Sequence, residues 1–166
     1  MPVTELITVQ EYLSTAYSPD CDYVDGVLED RHVGERDHGL VQAALIMWFG
    51  ARRKELGIAV IPEQRVQVSA SRYRLPDVCV TLGLPDEQIY TTPPFLCIEI
   101  LSPEDQMGRV LAKVADYLTF GVPYVWVIDP RKRSATVYTS TDVLPVSDGI
   151  LRTQNPDIAL PLSELF

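Results

Sequence analysis

A near-continuous aliphatic segment, Phe95 to Leu101, is followed by a helix-length amphipathic stretch and then by a second aliphatic segment, Val122 to Ile128. The stretch between them starts at Asp105 or Gly108, and Val110, Leu111, Val114, Tyr117 and Leu118 fall into one stripe at three- and four-residue spacing before Gly121 ends it. A strand, a helix of about four turns and another strand join compactly only as a right-handed crossover with parallel strands. Strands that are aliphatic throughout, without alternation, are suited to burial on both faces. The pattern predicts an α/β chain built on a mixed sheet.

Upstream, Leu40, Val41, Ala44, Leu45, Trp48 and Phe49 recur at helical spacing and predict a helix from Asp37 to Leu56 that Gly57 can close. Two strands are expected between that helix and Phe95, at Ile58 to Val68 and at Tyr73 to Leu82. The order from 37 to about 130 is then αβββαβ. Before it, Thr8-Val-Gln-Glu11 has capping-box spacing for a short helix to about Tyr17, and Tyr23-Val24-Asp25-Gly26-Val27-Leu28 sets an Asp-Gly pair between apolar residues, the mark of a tight hairpin. Arg133 to Tyr138 predicts a further strand, and Leu151 to Phe166 a short strand with a closing apolar turn. With 166 residues, 46% of them apolar, the chain is expected to form one domain over 1–166.

Composition removes several functions. The longest apolar run, Ala43 to Phe49, is far below the roughly 20 residues that cross a bilayer, and residues 1 to 20 show no basic-then-apolar signal pattern. Cys21, Cys79 and Cys97 form no C-x-x-C pair, and an odd number suits a reducing cytoplasm better than a disulfide framework. A net charge of -9 gives no global footprint for coating nucleic acid, so any such contact needs a local patch. Arg52-Arg53-Lys54, Arg72 with Arg74, and Arg131-Lys132-Arg133 are the candidates, each also explicable as a solvated helix end or turn.

Strand alternation puts Asp77, Cys79 and Thr81 on one face of the second strand, and Cys97 and Glu99 on one face of the third. An antiparallel register with Asp77 opposite Glu99 also sets Cys79 opposite Cys97. Two neighbouring carboxylates repel unless one holds a proton or a cation lies between them, and a hard ion such as Mg²⁺ suits that position. The plainer reading makes Asp77 a polar strand start and pairs Glu99 with an arginine.

Lys113 bears on the choice. It lies on the helix returning along the strand that carries Glu99, at the edge of the apolar stripe. Two residues of strand cover ~7 Å and five to seven of helix ~7 to 10 Å, so both side chains can reach one level. Its stem can lie on the sheet with the ammonium group toward the acids, the alternative being a solvent-facing lysine.

Pro76-Asp77, Glu99-Ile-Leu-Ser-Pro103, Lys113 and Gly121-Val-Pro-Tyr-Val-Trp-Val-Ile-Asp-Pro130 together resemble the Uma-type endonuclease family of the PD-(D/E)XK superfamily. The resemblance spans nearly the whole chain, from the Tyr23 to Gly26 hairpin onward, and includes His38. It implies a restriction-endonuclease-like αβββαβ core and metal-dependent phosphodiester hydrolysis. Asp77 and Glu99 would be ligands for Mg²⁺ or Mn²⁺, and Lys113 would steady the attacking water or the phosphate. The superfamily pattern has lysine two residues after its acid, where this chain has Leu101, so the lysine role passes to Lys113.

Glu63, read on the preceding strand with Arg65 and Gln67 on the same face, is a possible third acid, and Arg65 or Gln67 could touch a phosphate. His38 either approaches the site or serves the helix start. Ser102 lacks a Gly-x-Ser-x-Gly frame and is read as a turn residue. Two functions stay open: a DNA endonuclease, which a homodimer would suit for cutting both strands, and a nuclease-like module without catalysis that binds nucleic acid or protein.

Overall fold

The computed structural model describes residues 5–32 and 34–166. In chain order the elements are α1 (Val9–Ser14), β1 (Asp22–Val24), β2 (Val27–Glu29), α2 (Arg36–Ala51), α3 (Arg53–Leu56), β3 (Ile58–Pro62), β4 (Val66–Ser69), β5 (Arg72–Arg74), β6 (Val78–Leu82), β7 (Leu96–Ile100), α4 (Met107–Phe120), β8 (Tyr124–Asp129), β9 (Ser134–Tyr138), β10 (Val143–Pro145), β11 (Ile150–Thr153) and β12 (Ile158–Pro161), closed by a 3₁₀ turn at Leu162–Glu164.

The crossover forms as the sequence predicts. β7 and β8 pair in parallel, Leu96 opposite Tyr124 and Ile100 opposite Ile128, with α4 between them. Gly121 ends α4 at φ +111, a left-handed conformation, and the N–H groups of Gly121 and Val122 both return to Tyr117 O. Around this pair a six-stranded sheet runs β10-β9-β8-β7-β6-β3, and its other four pairings are antiparallel.

Both faces of that sheet are covered. Val41, Leu45 and Phe49 of α2 share a core with Val80, Ile98 and Trp126 on one face. On the other face, Val110, Val114 and Tyr117 of α4 pack with Cys79, Cys97 and Val127. Val66 and Val68 of β4 join this second core, so α4 lies between the main sheet and a four-stranded sheet of order β2-β1-β5-β4. Beyond that smaller sheet, Tyr12 of α1 stacks on Tyr23 with ring centroids 4.9 Å apart.

The hairpin and the first helix follow the sequence reading. Asp25 and Gly26 both have positive φ, +50 and +93, which a type I′ turn requires, and Thr8 Oγ1 accepts the Glu11 N–H at 3.1 Å.

Four expectations are corrected. The helix from Asp37 to Leu56 breaks at Arg52, whose N–H bonds Phe49 O while its guanidinium donates to Trp48 O and stacks 3.8 Å from the Trp48 ring. The span Ile58 to Val68 is two strands in different sheets, because Glu63 turns the chain at φ +53 just after Pro62. The span Tyr73 to Leu82 likewise divides at Pro76, which has no N–H to give a ladder. The C-terminal segment forms a complete hairpin of β11 and β12 rather than one strand. No helix among the described residues is long and apolar enough to cross a membrane.

Candidate active site

β6 and β7 pair with Cys79 opposite Cys97 and Val78 opposite Ile98. One step further, the same register sets Asp77 against Glu99, as the sequence alternation implies. Asp77 stands just before β6, where the ladder has ended, so its carboxylate replaces a strand: Oδ2 accepts the Ile100 N–H at 2.7 Å. Its backbone carbonyl accepts from Gln42 Nε2 of α2 at 2.9 Å. Both acids are buried, 6% and 5% exposed.

Each remaining carboxylate oxygen has a named partner. Asp77 Oδ1 accepts from Arg31 Nη2 at 3.0 Å and lies 3.3 Å from His38 Nε2. Glu99 Oε1 accepts the Tyr117 hydroxyl at 2.7 Å, and Oε2 lies 3.3 Å from Lys113 Nζ. Lys113 Nζ is also 3.8 Å from Asp22 Oδ2, on β1. Asp22 is held there by the Leu75 N–H at 3.1 Å and by Arg74, whose buried guanidinium also binds Glu29 and Asp116. Arg74 thus ties the hairpin to α4 and fixes the second acid beside Lys113.

The two acids titrate apart. Burial pushes Glu99 up to about 7, against the nearby Lys113, while Asp77 and Asp22 raise it further. Burial also raises Asp77, but the His38 hydrogen bond and charge together with Arg31 outweigh it and hold the carboxyl below its ordinary value. Burial lowers Lys113 and His38, yet the acids beside them raise both above their usual ranges. At neutral pH Lys113 is a cation and Asp77 an anion, and Glu99 is poised between its two forms.

A cavity of about 20 Å³, the size of one water, is lined by Asp77, Glu99, Lys113, Arg31 and His38 among others. A larger one of about 130 Å³ shares Arg31, His32, Asp105, Val110 and Lys113 with it, so Arg31 and Lys113 border both spaces.

Asp77, Glu99, Lys113 and His38 therefore come together. Glu63 reaches only the rim: it sits in the turn after β3, half exposed, with Oε1 3.8 Å from Arg31 Nη1. Arg65 and Gln67 do not share its strand face. Arg65 makes a bidentate pair with Asp20 and lies over the Tyr12 ring. Gln67 lies between Val66 and Val68, whose side chains face α4, so alternation points it to the opposite face. Arg72 and Arg74 are both engaged by carboxylates, Arg72 with Asp25 and Asp116 and the buried Arg74 with Asp22, Glu29 and Asp116.

Sequence reasoning missed Arg31, Asp22 and Tyr117. Tyr117 stands four residues from Lys113 on the same helix face, a spacing that marks it as a neighbour of Glu99. Arg31 and Asp22 lie outside any periodic segment near the acids.

No group of three or more His, Cys, Asp or Glu side chains able to hold a metal occurs among the described residues. Asp77 and Glu99 offer hard oxygen donors beside a water-sized space, and Mg²⁺ is ordinarily held by one or two carboxylates with water and phosphate completing its shell. The residues fit such an ion.

One solved structure similar to this chain, from Anabaena variabilis, is described as "a putative nuclease belonging to DUF820". It is 22% identical, covers 96% of this chain and 97% of its own, and superposes with a TM-score of 0.84. The fold is thus the nuclease-like one that the sequence resemblance implies. Among curated proteins none matches. The sequence pattern of the Uma2 family, described as "Putative restriction endonuclease", matches residues 9–162, and the chain belongs to that family.

Proposed function

We propose that this chain is a metal-dependent DNA endonuclease whose site is built from Asp77, Glu99 and Lys113. The observation that carries the reading is the placement of Lys113 Nζ 3.3 Å from one of two adjacent buried carboxylates, all three residues lining one water-sized cavity. Family membership supports hydrolysis of a phosphodiester bond, and the family's description supports DNA as the substrate.

Asp77 and Glu99 would hold Mg²⁺ or Mn²⁺. When bound, the ion supplies a water activated at neutral pH and charge to offset the phosphate. The chain's own groups do the rest. Ile100 N–H and His38 orient Asp77, and Tyr117 orients Glu99. Lys113, kept protonated by Glu99 and Asp22, presents donors to a phosphate oxygen or to the attacking water. In this reading the helix supplies, through Lys113, the ammonium group that a lysine two residues beyond Glu99 would otherwise supply.

A homodimer would bring two such sites to a duplex, and sedimentation with DNA tests that. The three cysteines, all free and buried, accord with a reducing cytoplasm. The reading is tested by calorimetric titration with Mn²⁺: the parent releases or takes up heat, and folded Asp77→Asn loses it. Absence of binding by the parent would favour the non-catalytic module.

A further inference from the structure

Arg31 is the member of the site that the hydrolytic reading leaves without a role. It follows β2, buries its guanidinium with only 5% of the side chain exposed, and places Nη2 3.0 Å from Asp77 Oδ1. Its other near acid is Glu63, at 3.8 Å. Arg74, the chain's other deeply buried arginine, serves acids that join the hairpin to α4, whereas Arg31 neutralises the acid assigned to the metal.

The buried charges pair off: Arg74 with Asp22, Lys113 with Glu99, and Arg31 with Asp77. Without a metal, each buried acid of the site already has a cation against it. A divalent ion at Asp77 and Glu99 adds two positive charges to this water-poor set, and the guanidinium on Asp77 Oδ1 is in direct competition with it. A histidine could give way by losing a proton, but a guanidinium stays charged and must move. Space for that movement exists in the 130 Å³ cavity, which Arg31 lines together with three acids, Asp30, Glu104 and Asp105, against two other cations, Arg109 and Lys113.

We infer that Arg31 is a built-in counter-cation that competes with the divalent metal for Asp77 and turns toward the outer cavity when the ion binds. The inference rests on the metal-binding reading above. It gives Arg31 a regulatory part: it stabilises the metal-free site and weakens metal loading.

Calorimetric Mn²⁺ titrations of the parent, Arg31→Met, Arg31→Lys and Asp77→Asn test it, each protein checked for folding by circular dichroism. Loss of the like charge should tighten binding by Arg31→Met ~10-fold or more, while Arg31→Lys, which keeps the charge, stays within about threefold of the parent. Asp77→Asn should abolish binding. Parent binding through Asp77 with no gain in folded Arg31→Met overturns the competition and leaves the metal reading standing. Absence of binding in both parent and Arg31→Met overturns both. Should Arg31→Met not fold, the parent itself decides. The guanidinium protons of Arg31, assigned by their loss in Arg31→Lys, should be slow to exchange without metal and fast at saturating Mg²⁺. Protection that persists at saturation overturns the inference.

Discussion

The hydroxyl of Tyr117 lies 2.7 Å from Glu99 Oε1, one helical turn along α4 from Lys113, which takes the other oxygen at 3.3 Å. Two side chains of one helix face therefore hold one strand carboxylate by both oxygens. The geometry makes Glu99 the most constrained group of the site and the one whose ionisation is easiest to perturb.

Tyr117→Phe removes a donor that stabilises the carboxylate form, so the Glu99 pKa should rise above its value of about 7. One buried hydrogen bond to a charged group is worth about 1.5 to 3 kcal/mol, and urea unfolding should show a loss of that order at pH 8. The carboxyl stretch in infrared difference spectra reads the pKa directly. A downward shift would show that the hydroxyl does not support the charged form.

The metal-free protein should lose stability as pH rises from 4.5 toward 7. Glu99 has an ordinary value of 4.5 and a folded value of about 7, so in that window the folded state binds more protons than the unfolded one. At about 1.4 kcal/mol per unit, the loss amounts to roughly 3 kcal/mol. Glu99→Gln keeps an acceptor for Tyr117 and cannot ionise, so its unfolding free energy should be flatter across the window. His38, with a raised value, adds loss of the same sign as pH climbs above 6.5 and remains in the variant. Asp77 acts oppositely: its contribution is full above 3.8 and disappears as pH falls through its lowered folded value.

Arg74→Met should be among the most destabilising single changes. It leaves Asp22 with the Leu75 N–H and the more distant Lys113, and Glu29 and Asp116 short of a partner, and breaking a buried ion pair by removing one side costs about 3 to 5 kcal/mol. Arg65→Ala removes a partly exposed pair with Asp20 and should cost about 1 kcal/mol or less. Thermal melts of the two variants rank them, and similar losses would contradict the assignment of Arg74 as the joint between hairpin and α4.

What could be read from the sequence follows the range of the interactions involved. β7, α4 and β8 are consecutive and each buries a face of its own period, so their order, direction and termination at Gly121 were legible. The Asp77 to Glu99 register was legible because alternation fixes two strands once two cysteines and two acids must match. The four-stranded sheet was not, since β1 pairs with β5 across about fifty residues and short strands carry little periodicity. Pro62 and Pro76 did mark the breaks in the two long strands, a signal outweighed by the aliphatic runs beside them. Arg31 and Asp22 reach the site only through tertiary packing. Lys113 was reachable because helix rise and strand rise can be compared residue by residue.

Lys113→Ala should leave Mn²⁺ binding in place while lowering cleavage by ~100-fold or more, the range expected for removing a charged donor from a reacting phosphate. Stability should fall as well, because Glu99 and Asp22 both lose their nearest shared cation. Cleavage equal to the parent's in the folded variant would remove Lys113 from the chemistry and leave the two acids.

Hydrolysis of DNA at Asp77 and Glu99, as proposed, is tested most directly by cleavage of supercoiled and linear DNA with Mg²⁺ or Mn²⁺ by the parent, Asp77→Asn and Glu99→Gln. The parent should cut in a metal-dependent way, and both folded variants should lose that cutting. Cutting that survives in either folded variant, or no cutting by a parent that also binds no metal, would contradict it.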